Sequence, residues 1–133
     1  MAGPTPAQRL RDEEVVAAIT VVFSRFEKVE TQHRLKDLVT KELARRRPGA
    51  KVAGARVRLL AIRSGLVRME TRTREGDGIE GLEACPVCAA KLRRVRNRTL
   101  TGGQVLVGLK CPVCGYKTGR VLEVPSRYVF HRR

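Results

Sequence analysis

The chain has 133 residues, with 28 Lys plus Arg against 13 Asp plus Glu, a net charge of +15 and four cysteines. That length suits one domain or two very small ones, and a piece below about 80 residues usually needs a staple such as a metal or a disulfide. The longest apolar run, Val15 to Phe23, is nine residues interrupted by Thr20, too short for a transmembrane span, and MAGPTPAQRLRDEE holds no apolar signal core; the expectation is a soluble, cytoplasmic protein with no membrane partner.

In chain order, Met1 to Ala44 carries as many bases as acids. Thr5-Pro6-Ala7-Gln8 has the pattern of a capping box with Pro at the first helical position, so a first helix starts there or at Asp12. Apolar residues are nearly continuous from Val15 to Phe26, which calls for cover on more than one side, by the same domain or by a second copy in a homodimer through this helix. Val29 to Arg47 reads as a second helix capped by Thr31, with Leu35, Leu38, Val39 and Leu43 at amphipathic spacing and Asp37/Lys41 and Glu42/Arg46 four apart. Arg45-Arg46-Arg47 closes it where cations suit the helix dipole, and Pro48-Gly49 stops it; the triplet fits helix capping and nucleic-acid contact equally.

Arg45 to Arg74 holds ten bases and one acid, a net +9. A third helix is expected over Ala55 to Ser64, ended by Gly65, with Val57, Leu60 and Ala61 on one side and Arg56 and Arg63 on another. Leu66 to Arg74 then alternates: Val67, Met69, Thr71 and Thr73 face one way and Arg68, Glu70, Arg72 and Arg74 the other, as in a half-buried strand with a cationic outer face. Gly76-Asp77-Gly78 reads as a turn inside a short acidic stretch, Glu75 to Ala84, of net −4. Three helices, a basic strand and a turn give the order of a winged helix-turn-helix over 1–78, with 79–84 as an acidic joint.

Cys85 to Arg133 is again basic, net +10. Cys85-Pro86-Val87-Cys88 and Cys111-Pro112-Val113-Cys114 are two near-identical knuckles. Each points two thiolates at one place, and together they complete a tetrahedral sulfur site. Leu92 to Leu100 and Gln104 to Lys110 are strands joined at Thr101-Gly102-Gly103, with Val105, Val107 and Leu109 on one face, and a third strand spans Lys117 to Val124. One structural Zn²⁺ on Cys85, Cys88, Cys111 and Cys114 is the expected cofactor; the same four ligands also suit iron. Four filled positions leave no open site for catalysis. With about −2 from the zinc–thiolate centre, 85–124 and the following residues keep a charge near +8 by formal counting.

Arg93, Arg94, Arg96 and Arg98 crowd one strand, a ladder that repels itself unless phosphate or another acidic partner lies against it. In the tail, 125–133, Arg127, Arg132 and Arg133 alternate with Tyr128 and Phe130, which suits base stacking or docking onto the ribbon equally. His33 and His131 have no neighbouring nucleophile, and no glycine-rich phosphate loop occurs, so an enzyme is not expected.

The knuckles, with Gly115-Tyr116 after the second, resemble the C-P-x-C-G ribbons of transcription factors, polymerase subunits and ribosomal proteins. With the helical part in outline, the chain is similar to archaeal-type small proteins that fuse a winged helix-turn-helix to a zinc ribbon. The first knuckle departs from that pattern, with Ala89 where glycine is usual. The resemblance implies zinc ligands and names no one process. The resulting expectation is an α+β, non-enzymatic, transcription-factor-like DNA binder: Arg56, Arg58 and Arg63 approach a groove, Arg68, Arg72 and Arg74 the backbone, and Arg93, Arg94, Arg96 and Arg98 a second run of phosphates. An RNA-binding, ribosome-associated protein is the alternative, and a protein-interaction module a third.

Overall fold

The computed structural model describes residues 10–133. It is a mixed α+β structure of three helices and two small antiparallel sheets. Helix α1 (Asp12–Arg25) starts at the second of the two expected places; the Thr5 capping box lies outside the described residues. Asp12, Glu13 and Glu14 occupy its first turn and Arg25 its last, the order the helix dipole favours. Val15, Ala18, Ile19, Val22 and Phe23 are buried, while Val16, Ala17 and Val21 are half-buried, so α2 and α3 cover most of the apolar run within one chain.

Val29, expected in the second helix, belongs instead to a two-residue strand, β1 (Lys28–Val29). Helix α2 (Gln32–Arg46) begins after it, with the Arg34 N–H donating to Thr31 Oγ1 at 3.0 Å as the cap requires. Leu35, Val39 and Leu43 are buried and Leu38 packs beside them. The ion pairs on its polar face differ from those expected: Asp37 faces His33 at 3.4 Å, and Glu42 faces Arg25 and Arg45, each at 3.7 Å. Helix α3 (Gly54–Arg63) buries Val57, Ala61 and Ile62 and ends at Gly65, whose φ of 72° is the left-handed stop.

The largest departure from the sequence pattern follows. No turn forms at Gly76-Asp77-Gly78. Strand β2 (Val67–Gly78) runs through them, and its partner is β6 (Val121–Arg132), at the other end of the chain. Residues read as a basic tail therefore form the middle strand of a β1-β6-β2 sheet, and the third ribbon strand does not stop at Pro125. Pro125 lies opposite Thr73, where the register shifts after Arg72; such an irregularity tolerates a residue with no N–H to donate. Val29, Phe130 and Met69 oppose one another, with Val29 and Phe130 buried and Met69 packed against the core. Lys28, His131 and Arg68 line up on the other face.

The segment between β2 and β6 makes the second sheet, β3-β4-β5, from β3 (Arg93–Arg98), β4 (Gln104–Lys110) and β5 (Lys117–Thr118). The expected alternation of Val105, Val107 and Leu109 is broken: Leu109 opposes Arg94, Leu106 opposes Arg96, and Val107 is the extra residue of a bulge. Gly108 is required beside it, because a Cβ there would sit 2.2 Å from the Thr118 carbonyl oxygen. One continuous apolar cluster links Val15, Leu35, Val57 and Phe130 to Val87, Cys88, Leu109 and Tyr116, so the second sheet is packed onto the helical unit.

Candidate metal centre

The two knuckles match residue by residue. Cys85 N–H donates to the Ala90 carbonyl and Cys111 N–H to the Tyr116 carbonyl, each at 2.7 Å. Val87 N–H points to Cys85 Sγ and Val113 N–H to Cys111 Sγ, each at 3.4 Å. The residue after each second cysteine takes a left-handed conformation, Gly115 at φ 82° and Ala89 at φ 64°. That turn lets the Ala90 and Tyr116 N–H groups face Cys88 Sγ and Cys114 Sγ. Ala89 adopts the conformation despite its Cβ, at a cost of about 1–2 kcal/mol, so the missing glycine does not alter the knuckle.

All four sulfurs lie within 4.8 Å of one another, with Cys85–Cys114 and Cys88–Cys111 at 3.5 Å. A tetrahedron with Zn–S bonds near 2.3 Å has edges of about 3.8 Å, whereas a disulfide needs about 2.05 Å. The cluster therefore fits one four-coordinate metal ion and is not two disulfides. Cys85, Cys88 and Cys111 are buried and Cys114 half-buried. Without a metal the four thiols cannot ionise independently. A hydrogen bond from Cys114, helped by the Cys88 and Val87 amides, holds Cys85 down at about 5, while burial pushes Cys88 up to about 11; Cys114 is pushed up by its bond to Cys85 and by burial. A divalent cation removes the conflict, since it stabilises all four thiolates at once. Beside the site, burial raises the Tyr116 phenol to about 12, and its hydroxyl donates to the Glu123 carbonyl.

The knuckles differ in what surrounds them. Val113 is 50% exposed, whereas Val87, its counterpart, is 0% exposed. Arg58 reaches the first knuckle and not the second. From α3 its Nε donates to the Val87 carbonyl at 2.8 Å, its Nη1 donates to Gln32 Oε1 on α2, and its guanidinium stacks over the Tyr128 ring of β6 at 4.5 Å. Helices, sheet and first knuckle meet on this one side chain. Nothing in sequence spacing joins Arg58 to Gln32, Val87 or Tyr128, and Arg58 reads from the sequence as one more groove-facing cation.

The remaining expected contact residues fall into two groups. Arg56 is also engaged within the chain, donating to the Leu10 carbonyl at 2.7 Å and Asp12 Oδ1 at 2.8 Å. Arg63 is exposed at the end of α3, and Arg68 and Arg72 lie on the outer face of the three-stranded sheet with Arg74 further along β2. Arg93, Arg94, Arg96 and Arg98 are all exposed on β3. Between Lys91 and Arg120 there are eight cations and no acid, all exposed, and none of their side chains has a hydrogen bond or ion pair among the described residues. By contrast, the ion pairs among the described residues join partners within the helices and the β1-β6-β2 sheet, such as Arg47–Glu14 at 3.1 Å and Arg132–Glu27 at 3.2 Å.

No family model matches the chain, and no curated protein or solved structure does so either. Among the described residues no helix is long and apolar enough to cross a membrane.

Proposed function

We propose that this is a non-enzymatic nucleic-acid-binding protein of the transcription-factor type, with one structural zinc ion on Cys85, Cys88, Cys111 and Cys114. The observation that carries the reading is the unneutralised charge of the ribbon: eight exposed cations between Lys91 and Arg120 with no acid among them. Self-repulsion of that density is relieved by a polyanion, and five of the eight are arginines, whose planar fork pairs with phosphate. A closed, wholly thiolate shell suits a structural zinc ion, and iron takes the same four ligands.

The order α1-β1-α2-α3-β2-β6, with a β1-β6-β2 sheet, supports a winged helix whose wing strands are separated by the inserted ribbon. In this reading α3 contributes little to a groove contact, since Arg56 and Arg58 are spent on intramolecular bonds, and the ribbon is the main contact surface. The test is affinity for mixed-sequence nucleic acid against salt. Neutralising six to ten phosphates lowers affinity by about 10³–10⁵ between 50 and 200 mM salt; a flat response overturns the reading.

A further inference from the structure

The ribbon is more than a charged surface. From Arg93 to Gln104 twelve consecutive residues are exposed, covering β3, the turn and the start of β4. The β3 strand and the turn thus face solvent, the turn closed by the Thr99 N–H to Gly103 carbonyl bond of 2.8 Å, while Leu106, Gly108 and Leu109 of β4 pack against the rest of the chain, so the hairpin is exposed on both strands only at its tip. Leu100 at its tip is wholly exposed.

Two features bear on what such a hairpin can bind. The first is the state of the aromatic residues. Proteins that hold unpaired strands stack bases on aromatic rings, each worth about 1–3 kcal/mol. Of this chain's three Phe and two Tyr, Phe23, Phe130 and Tyr116 are buried, Phe26 packs on the core and Tyr128 lies under Arg58; Trp is absent. No ring is fully exposed, and none lies on the ribbon's exposed strand or turn. The second is dimension. Paired strands lie about 4.8 Å apart, and the major groove of B-DNA, about 12 Å wide, admits a two-stranded ribbon, whereas the A-form major groove is too narrow for side chains to read. Arg94, Arg96 and Arg98 recur about every 6.8 Å along the strand, twice the 3.4 Å rise between phosphates of one DNA strand.

We propose that the exposed strand and turn Arg93–Gln104 bind double-stranded DNA, the hairpin tip entering the major groove with the β3 arginines on the phosphates and Leu100 against base edges. This rests on the nucleic-acid reading above and narrows it to one substrate class. The arginine side chains make no hydrogen bond or ion pair among the described residues, so replacing them removes no polar contact of the fold.

The test uses the full zinc-loaded chain and three fluorescently labelled probes of one mixed sequence: duplex DNA, the single DNA strand and duplex RNA. The expected result is duplex DNA bound at least about tenfold more tightly than either of the others. In R94Q/R96Q/R98Q, with zinc content and circular dichroism unchanged, the slope of log affinity against log salt should fall by about three and the duplex preference should go. Should the triple variant lose zinc, R96Q alone is used, with a slope change of about one. Equal or tighter binding of the single strand or of duplex RNA overturns the inference while leaving the broader reading standing, as does an unchanged slope in the folded variant. Failure to bind any of the three probes removes both.

Discussion

The helical unit and the ribbon are both strongly basic, yet they differ in how charge and cohesion are arranged. In the helical unit several cations are matched, Arg47 to Glu14, Arg56 to Asp12 and Arg132 to Glu27, while others such as Arg63, Arg68 and Arg74 have no ion-pair partner among the described residues. Exposed pairs of this kind are each worth about 0–1 kcal/mol, so they shape the surface while Val15, Ile19, Leu35, Val39 and Phe130 supply cohesion by burial. In the ribbon, cations are unmatched and β3 is exposed along its whole length; a sheet that small has little apolar surface to hold itself together, and beside it stand four cysteines placed to share one ion.

Removing the metal tests the contrast hardest. Cys111→Ala, or chelation, should abolish tight zinc binding and melt β3-β4-β5, seen as loss of amide-exchange protection there, with α1 and α2 still protected. A metal-free ribbon that stays protected would show that its cohesion is apolar like that of the helices. Next comes the joint between the two units. Arg58→Ala leaves the Val87 carbonyl unbonded and should cost about 2 kcal/mol in urea unfolding; Arg58→Lys keeps the charge but loses the fork and should recover little of it. A change within about 0.5 kcal/mol would class Arg58 with ordinary surface residues.

Smaller effects compare the two knuckles. Ala89→Gly relieves left-handed strain and should stabilise by about 0.5–1 kcal/mol, while Gly115→Ala should destabilise by about 1 kcal/mol, both read as shifts in denaturation midpoint. Equal and neutral outcomes would mean that the knuckle turns relax freely. The smallest effect belongs to the helical unit's surface. The hydrogen bond from His131 draws Glu70 below its ordinary value near 4.5, so its contribution is present above that value and is lost as pH falls through the lowered one. Glu70→Gln should therefore narrow the difference in melting temperature between pH 7 and pH 3, slightly, since the carboxylate is solvent-exposed.

Where local chemistry decides, the sequence was legible. Thr31 caps α2 because a threonine oxygen before an amphipathic run has an orphan N–H to satisfy, and Gly65 ends α3 because only glycine reaches its φ without cost. The four cysteines were readable as one site because two C-x-x-C turns have one common chemistry. The β2–β6 pairing was not readable, since Gly76-Asp77-Gly78 has the composition of a turn and becomes strand only because a distant segment supplies the ladder of hydrogen bonds. Nor was Val29, whose short strand exists only opposite Phe130.

The sequence by itself determined the helices' apolar faces, the sulfur ligands and the excess of arginine, because periodicity, ligand softness and formal charge are properties of neighbouring residues. Only the tertiary structure decided what each copy of a repeated feature does. Val87 and Val113 occupy the same place in the same tetrapeptide, and one is buried with its carbonyl bonded to Arg58 while the other is half exposed to water. Arg58 and Arg96 are the same residue in equally basic surroundings; one is fixed by a carbonyl, an amide and a ring, the other stands unpartnered on an exposed strand. Burial and partnership depend on which distant segments meet, and that is set by the packing of the whole chain.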